Sequence, residues 1–445
     1  MKNRIQLSDH FTYSRLLRFT LPSIVMMIFT SIYSVVDGLF VSNFVGKIPF
    51  AAINLIMPIL IVLGALGFMV GTGGSAIVAK TLGEQDADRA NRYFSMLVYA
   101  TAAGGVLLTV LGELFLRPMC ILLGAEGEML ENCVLYGRIV LLTLTAFMLQ
   151  NVFQSFLITA EKAQLGLFIT VLAGVTNMVL DYVFIALLRW GLAGAACATA
   201  FSQLIGGLVP FVYFLRKNDS LLQLTKTRFD GRILLRTCTN GSSELMSNIS
   251  ASVVTMLYNF QLMRLAGEDG IAAYGVVMYV NFIFAAIFIG YSIGTAPVIG
   301  YHYGAQNHAE LKNLFRRSLV LMTLSGAVMA LLAEVLAQPL TQIFVGYDAG
   351  LYAITLRGFR MFAVSFIVTG VNIFGSSFFT ALNNGVISAA ISFLRTLVFQ
   401  IITVLLLPVF FELDGIWYAA VTAEILALAV TVTFFALKRK EYHYA

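Results

Sequence analysis

Long apolar stretches recur so often along this chain that the bilayer, rather than water, must be its main solvent. A helix that crosses a membrane needs roughly 20 mostly apolar residues. Twelve stretches meet that requirement: 16–41, 49–79, 93–116, 134–159, 164–188, 191–215, 233–264, 270–300, 315–338, 353–381, 386–410 and 415–437. Lipid offers the backbone no hydrogen bonds, so each stretch must satisfy its own amides, and a helix does so. Several run past the minimum, which predicts tilt or kinks. Pro22, Pro58, Pro210 and Pro297 fall inside or near the ends of such spans. The expected fold is an all-α polytopic membrane protein with twelve transmembrane helices. Charge agrees: only 11% of the 445 residues are charged, less than half the roughly 25% of a soluble domain.

Lys and Arg collect in cytoplasmic loops. With the N-terminus inside, inner segments hold 20 of the 28 Lys and Arg residues, starting with Lys2 and Arg4. Outer segments hold seven, Lys47, Arg117, Arg138, Arg189, Arg264, Arg357 and Arg360, and Arg395 lies within a helix. Both termini are therefore expected in the cytoplasm. No small-residue cleavage site follows the first apolar run, so it reads as a retained helix.

The sequence also repeats. At an offset of 221 residues Gly46 meets Gly267, Gly73 meets Gly294, Gly83 meets Gly304 and Gln85 meets Gln306. WGLAGAACATA, from Trp190, resembles DGIWYAAVTAE, from Asp414, at an offset of 224. Six helices per half is an even number, so the halves share one orientation about an axis along the membrane normal. The expected organisation is an N-terminal six-helix lobe over 1–218, a cytoplasmic linker over 219–232 and a C-terminal six-helix lobe over 233–445.

An ionisable group at membrane depth is costly and is a functional candidate by default. Five stand out: Asp37, Asp181, Glu244, Arg395 and Glu424. Asp37 lies about 20 residues into the first helix and Asp181 about 17 into the fifth, both in the outer half at 1.5 Å per residue. Asn177 is one turn before Asp181, and Thr199 reaches a similar depth from the sixth helix. Oxygen ligands of this kind suit hard cations, and paired carboxylates suit a proton. An Asp pair among the outer headgroups is the plainer alternative. Under the repeat Asp37 meets Tyr258, Asp181 meets Ile402 or Leu405, and Thr199 meets Ala420 or Ala423, so the second lobe lacks the constellation. Glu244 sits near the midplane. It either faces a central cavity and attracts cations, or packs against Ser242, Ser243 or Asn248. Arg395 and Glu424 fall at matching depth on neighbouring helices and are expected to form a structural ion pair, with substrate contact as the alternative. Phe147, Met148, Asn151, Phe153 and Gln154 of the fourth helix are cavity candidates, since aromatic faces hold cations and Met adapts to shape. Packing is the commoner use of such residues.

Other chemistries find no support. Cys120, Cys133, Cys197 and Cys238 show no metal spacing, nor do His10, His302, His308 and His443. The glycines form no phosphate loop and no ATPase motif is present. The expectation is a non-enzyme without cofactor or nucleic-acid partner, driven by an ion gradient, with no metal beyond a coupling sodium.

Taken together, these features resemble the multidrug and toxic compound extrusion (MATE) family. The likeness rests on the two parallel lobes, the Pro-containing first helix, and GTGGSAIVAKTLG closing the second helix with its counterpart closing the eighth. NGSSELMSNIS and SVVTMLYNFQLM of the seventh resemble the MepA-type bacterial branch. The resemblance spans essentially the whole chain. It implies that Asp37, Asn177, Asp181 and Thr199 form the cation site of the N-terminal lobe, since all four match the family pattern. It implies secondary active efflux of small organic cations by proton- or sodium-coupled antiport, from a monomer in the lipid of a bacterial cytoplasmic (inner) membrane. A related two-lobe architecture, the flippase for lipid-linked saccharides, is the alternative. Its pyrophosphate substrate needs Lys or Arg lining the cavity, and only Arg395 is basic at depth.

Overall fold

The computed structural model describes residues 5–445, apart from the side chains of Leu39, Ser42, Asn43 and Lys47. Lys2, Arg4 and the Lys47 side chain, which enter the charge count, lie outside the described residues. Among the described residues thirteen α-helices follow in order. The first half holds α1 (Tyr13–Phe44), α2 (Lys47–Gly83), α3 (Ala87–Leu122), α4 (Gly127–Leu142), α5 (Leu144–Thr159), α6 (Ala163–Asp181) and α7 (Gly191–Leu215). The second holds α8 (Gly231–Gly304), α9 (His308–Val345), α10 (Ala349–Ala363), α11 (Phe366–Ala381), α12 (Gly385–Phe393) and α13 (Phe399–Tyr442). Wider π-turns, Tyr182–Leu187 and Leu394–Val398, extend α6 and join α12 to α13.

Twelve crossings emerge from these helices. Eight are long and apolar enough to span, and the bent pairs α4–α5 (53°) and α10–α11 (51°) raise the number to ten. At 1.5 Å per residue α8 would be roughly 110 Å long, far more than a bilayer of about 30 Å. Its backbone breaks at Gly267 (φ 64°), and α13 breaks at Glu412 (φ 50°). Each break divides one run into two crossings, which makes twelve. An even number returns both termini to one face, called the terminal face below.

The internal repeat is visible in the turns. Gly46 and Gly267, Gln85 and Gln306, Glu161 and Asn383, and Arg189 and Glu412 all adopt positive φ at corresponding points of the two halves. The halves meet along a seam of close backbone contacts in the half of the molecule nearer the terminal face. A Cβ on Gly83 of α2 would collide with the Tyr301 carbonyl of α8, and one on Gly304 with the Lys80 carbonyl. These two glycines are repeat-related and pack on each other's helix. Gly73 likewise meets Thr237 and Gly241, while its counterpart Gly294 meets Thr20. Small residues let membrane helices approach closely where no hydrophobic driving force separates helix from lipid.

Two non-helical segments lie on the terminal face. Residues 5–11 run beneath both halves: Leu7 N donates to Glu161 Oε1 (2.7 Å) and Phe11 N to Glu310 Oε1 (2.9 Å). The connection after α7 packs along the start of α3, where Gln223 N donates to Asn91 Oδ1 (2.7 Å) and Thr225 N to Ser95 Oγ (2.8 Å). Leu222 and Leu224 are buried there.

Candidate functional site

Two helices of the first lobe approach closely where one of them lacks a side chain. Gly174 on α6 faces Phe29 and Tyr33 of α1, and a Cβ there would press on both rings. Further along α6 come Asn177 and Asp181. One turn beyond Tyr33 on α1 comes Asp37, on the same helical face. Asp37, Asn177 and Asp181 thus lie side by side at hydrogen-bonding range. Asp181 is fully buried and Asn177 nearly so. Thr199 on α7 joins the group through Tyr136 of α4. The Tyr136 hydroxyl is in reach of Thr199, and the phenol lies beside both carboxyl groups. Tyr33 flanks Asp37. Neither tyrosine carries the charge that drew attention to the aspartates. The sequence signal for Tyr33 was its position one turn before Asp37; Tyr136 offered none.

The cluster is rich in acceptors and short of donors. An ionised carboxylate accepts only, so two facing carboxylates cannot satisfy one another. Both Asp181 oxygens, Asp37 Oδ1 and Asn177 Oδ1 are buried without a hydrogen-bond partner among the described residues. Buried acceptors of this kind are costly. A proton held between the carboxyls, or a hard cation among the oxygens, relieves the cost.

The second lobe is built differently. Arg395 sits on the π-turn before α13, and its Nε lies 2.9 Å and 3.1 Å from the two Glu424 carboxylate oxygens. Asn372 Nδ2 donates to Glu424 Oε2 (2.7 Å) and to the Glu424 carbonyl (2.9 Å). Thr431 Oγ1 lies 3.2 Å from Asn372 Oδ1. Tyr258, the counterpart of Asp37, donates to Gln400 Oε1 (2.8 Å) and stacks on Tyr274 at 5.0 Å.

Between the lobes lies a cavity of about 200 Å³ with walls from α2, α5, α8, α11 and the second π-turn. Glu244 and Arg395 both line it. The Glu244 carboxylate has no ion pair or hydrogen bond among the described residues. Phe147, Met148, Asn151, Phe153 and Gln154 do not line this cavity, contrary to expectation. Phe153 is fully buried among Phe94 and Phe214. Asn151 donates to the Gly64 carbonyl (3.3 Å), and Phe147 and Met148 fill the space left by Gly64 and Gly67. Gln154 faces a small pocket inside the first lobe. The physical reason is that α5 is buried on almost all sides by its own lobe, and of its residues it is Ser155 that reaches the cavity.

The sequence profile of MatE matches residues 22–183 and 245–406, most of the chain and one match in each lobe. The chain belongs to the MatE family. MatE proteins are transporters, and this one spans the membrane with two six-helix lobes. The chain is 23% identical over 434 residues to the multidrug export protein MepA of Staphylococcus saprophyticus, covering 96% of this chain and 94% of that protein. It is 25% identical over 367 residues to MepA of Staphylococcus haemolyticus, covering 81% and 80%. Among solved structures, a MATE crystallised in complex with MaL6 superposes with a TM-score of 0.93 at 22% identity over 100% of both chains. An outward-facing multidrug resistance MATE transporter of the MOP superfamily gives 0.93 at 22%, again over 100% of both. These likenesses fix the MatE fold.

Proposed function

We propose that this protein is a secondary active exporter of small organic cations, driven by protons or sodium ions entering at Asp37 and Asp181. The observation that carries the reading is the facing carboxyl pair, three of whose oxygens, Asp37 Oδ1 and both of Asp181, are buried without a hydrogen-bond partner among the described residues. Asn177 and Thr199 complete the cation site, and Tyr136 connects Thr199 to the carboxyls. Ion entry there changes the relative stability of two arrangements of the lobes, and differential affinity for those arrangements is what couples ion to cargo. Glu244, unpartnered in the cavity between the lobes, supplies the charge that attracts a cation. The division into lobes at 1–218 and 233–445, joined by 219–232, matches two bodies that rock about this cavity. The MepA relatives are named as multidrug export proteins, which supports export as the direction.

The flippase alternative gains nothing from the cavity, because Arg395 is already neutralised by Glu424 and leaves no free cation for a pyrophosphate. We take both termini and the linker to face the cytoplasm of a bacterial cell membrane, with the protein acting as a monomer. The test is accumulation of a fluorescent organic cation in proteoliposomes under a proton gradient and, separately, a sodium gradient. Transport under one gradient alone identifies the ion; transport under neither overturns the proposal. An Asn218→Cys variant labelled by an impermeant reagent in intact cells would overturn the orientation.

A further inference from the structure

The cavity between the lobes has a chemical bias that narrows its cargo. Ten of its lining side chains are serine or threonine, and none is aromatic. The direction of their hydrogen bonds matters more than their number. Thr72 donates to the Phe68 carbonyl (2.9 Å), Ser75 to Thr72 (3.0 Å), Ser247 to Ser243 (2.8 Å), Ser377 to Ser292 (3.2 Å) and Thr396 to Ser392 (2.7 Å), each to backbone oxygen. A hydroxyl has one proton to give and two lone pairs. With the proton spent on the helix, the lone pairs remain. At these five positions the wall therefore offers acceptors. Ser292 Oγ adds an independent sign: it is buried at 2% exposure, lines the cavity and has no partner among the described residues.

The charges point the same way. Glu424 compensates Arg395 through its Nε, which leaves the Nη donors without a hydrogen bond among the described residues. Glu244 is then the one uncompensated charge on the wall. A volume of about 200 Å³ is small beside the roughly 300–1,000 Å³ of drug-sized pockets.

We infer that the cavity takes a compact monocation rich in N–H and O–H donors, a protonated amine bearing several hydroxyls, rather than a lipophilic aromatic cation. This rests on the export reading above and specifies its cargo. The ammonium faces Glu244, the cargo's hydroxyl protons meet the serine and threonine oxygens, and its hydroxyl oxygens accept from the Arg395 Nη groups. An aromatic phosphonium has no proton to offer these acceptors and would leave them desolvated and unpaired.

The test uses the purified full chain in proteoliposomes with three probes: N-methylglucamine, a polyhydroxylated amine; sorbitol, a polyol of similar size without charge; and tetraphenylphosphonium, an aromatic cation without donors. Gradient-driven transport of N-methylglucamine is expected to exceed that of either other probe by about tenfold or more, the factor that goes with one charge-assisted hydrogen bond. Glu244→Gln should lose at least about that factor for N-methylglucamine, and Ser292→Ala and Ser247→Ala a smaller part of it. Thermal stabilisation of each detergent-purified variant by N-methylglucamine separates lost binding from lost folding. Tetraphenylphosphonium transported as fast as N-methylglucamine or faster, or N-methylglucamine transport unchanged in Glu244→Gln, overturns this inference and leaves export intact. Failure of all three probes under both gradients overturns the export reading and this inference with it.

Discussion

The two lobes share a fold and differ in how they treat buried polarity. In the C-terminal lobe the groups at the corresponding place answer one another: Arg395 by Glu424, Glu424 by Asn372, Asn372 by Thr431, and Tyr258 by Gln400. In the N-terminal lobe, where Asp37 replaces Tyr258, the carboxyls of Asp37 and Asp181 face each other, and Asp37 Oδ1 and both Asp181 oxygens have no partner among the described residues. A closed network holds one arrangement. An open one is stabilised by whatever arrives to complete it. Two copies of one architecture have thus separated into a lobe whose buried ion pair is answered from within and a lobe that, under the function proposed above, responds to an ion.

The contrast breaks most decisively at the carboxyls. Asp37→Asn and Asp181→Asn should insert and fold, since an amide costs less than a charge in hydrocarbon. Gradient-driven export should nevertheless fall about a hundredfold, the size of a coupling free energy near 3 kcal/mol. Export at the parental rate from the double Asn variant would remove this site from the mechanism. Next in size is the C-terminal pair. Arg395→Met strands Glu424 and should cost about 3–5 kcal/mol of stability, seen as lost folded yield, with much of it restored by Glu424→Gln in the same chain. Equal yields for the single and double variants would refute the pairing. Tyr136→Phe removes only the hydroxyl that reaches Thr199, so apparent ion affinity should weaken by up to about tenfold, with the melting temperature little changed. Smallest is Thr431→Val, which should lower stability by about 1 kcal/mol and leave ion dependence alone. A change in ion dependence there would show that the C-terminal network is not merely structural.

The twelve crossings were legible because bilayer thickness imposes one length on every apolar run. The breaks inside them were less so. Gly267 marks one by composition, yet α4–α5 and α10–α11 bend at Thr143 and Val364–Ser365, with neither Gly nor Pro at the break. Tertiary packing bends them, and packing is not written locally. Helices also extend past the predicted ends, as α3 does over Ala87–Leu122, because helix propensity continues where hydrophobicity stops. Asp37 and Asp181 could be picked out as candidates because charge at depth is conspicuous and depth can be counted, while uncharged Asn177 and Thr199 came in by their level beside them and by the family resemblance. Tyr136 could not, being one phenol among many. The shared cavity of Glu244 and Arg395 was hidden as well, since it depends on α8 meeting the α12–α13 junction across a long stretch of chain. Phe147, Met148, Asn151, Phe153 and Gln154 of α5 do not reach the cavity that Ser155 lines, because a helix with polar and apolar residues on all sides gives no clue to which face is free.

The glycine seam sets the terms on which this molecule can change shape. Where Gly83 and Gly304 lock against each other's helices, main chain touches main chain. Main chain in a helix is already ordered, so closing the seam freezes no rotamers. The glycine contacts themselves bring no ionic partners together, so parting them asks for no ion to be stripped of its partner. The hold is fit and dispersion joined by uncharged hydrogen bonds, Asn240 Nδ2 to the Gly73 carbonyl (3.3 Å) and Gln85 Nε2 to the Tyr301 hydroxyl (3.1 Å). Under the rocking mechanism proposed above, the balance between closed and parted seams should therefore be nearly indifferent to ionic strength and responsive to hydrostatic pressure, because what distinguishes the two is packed volume.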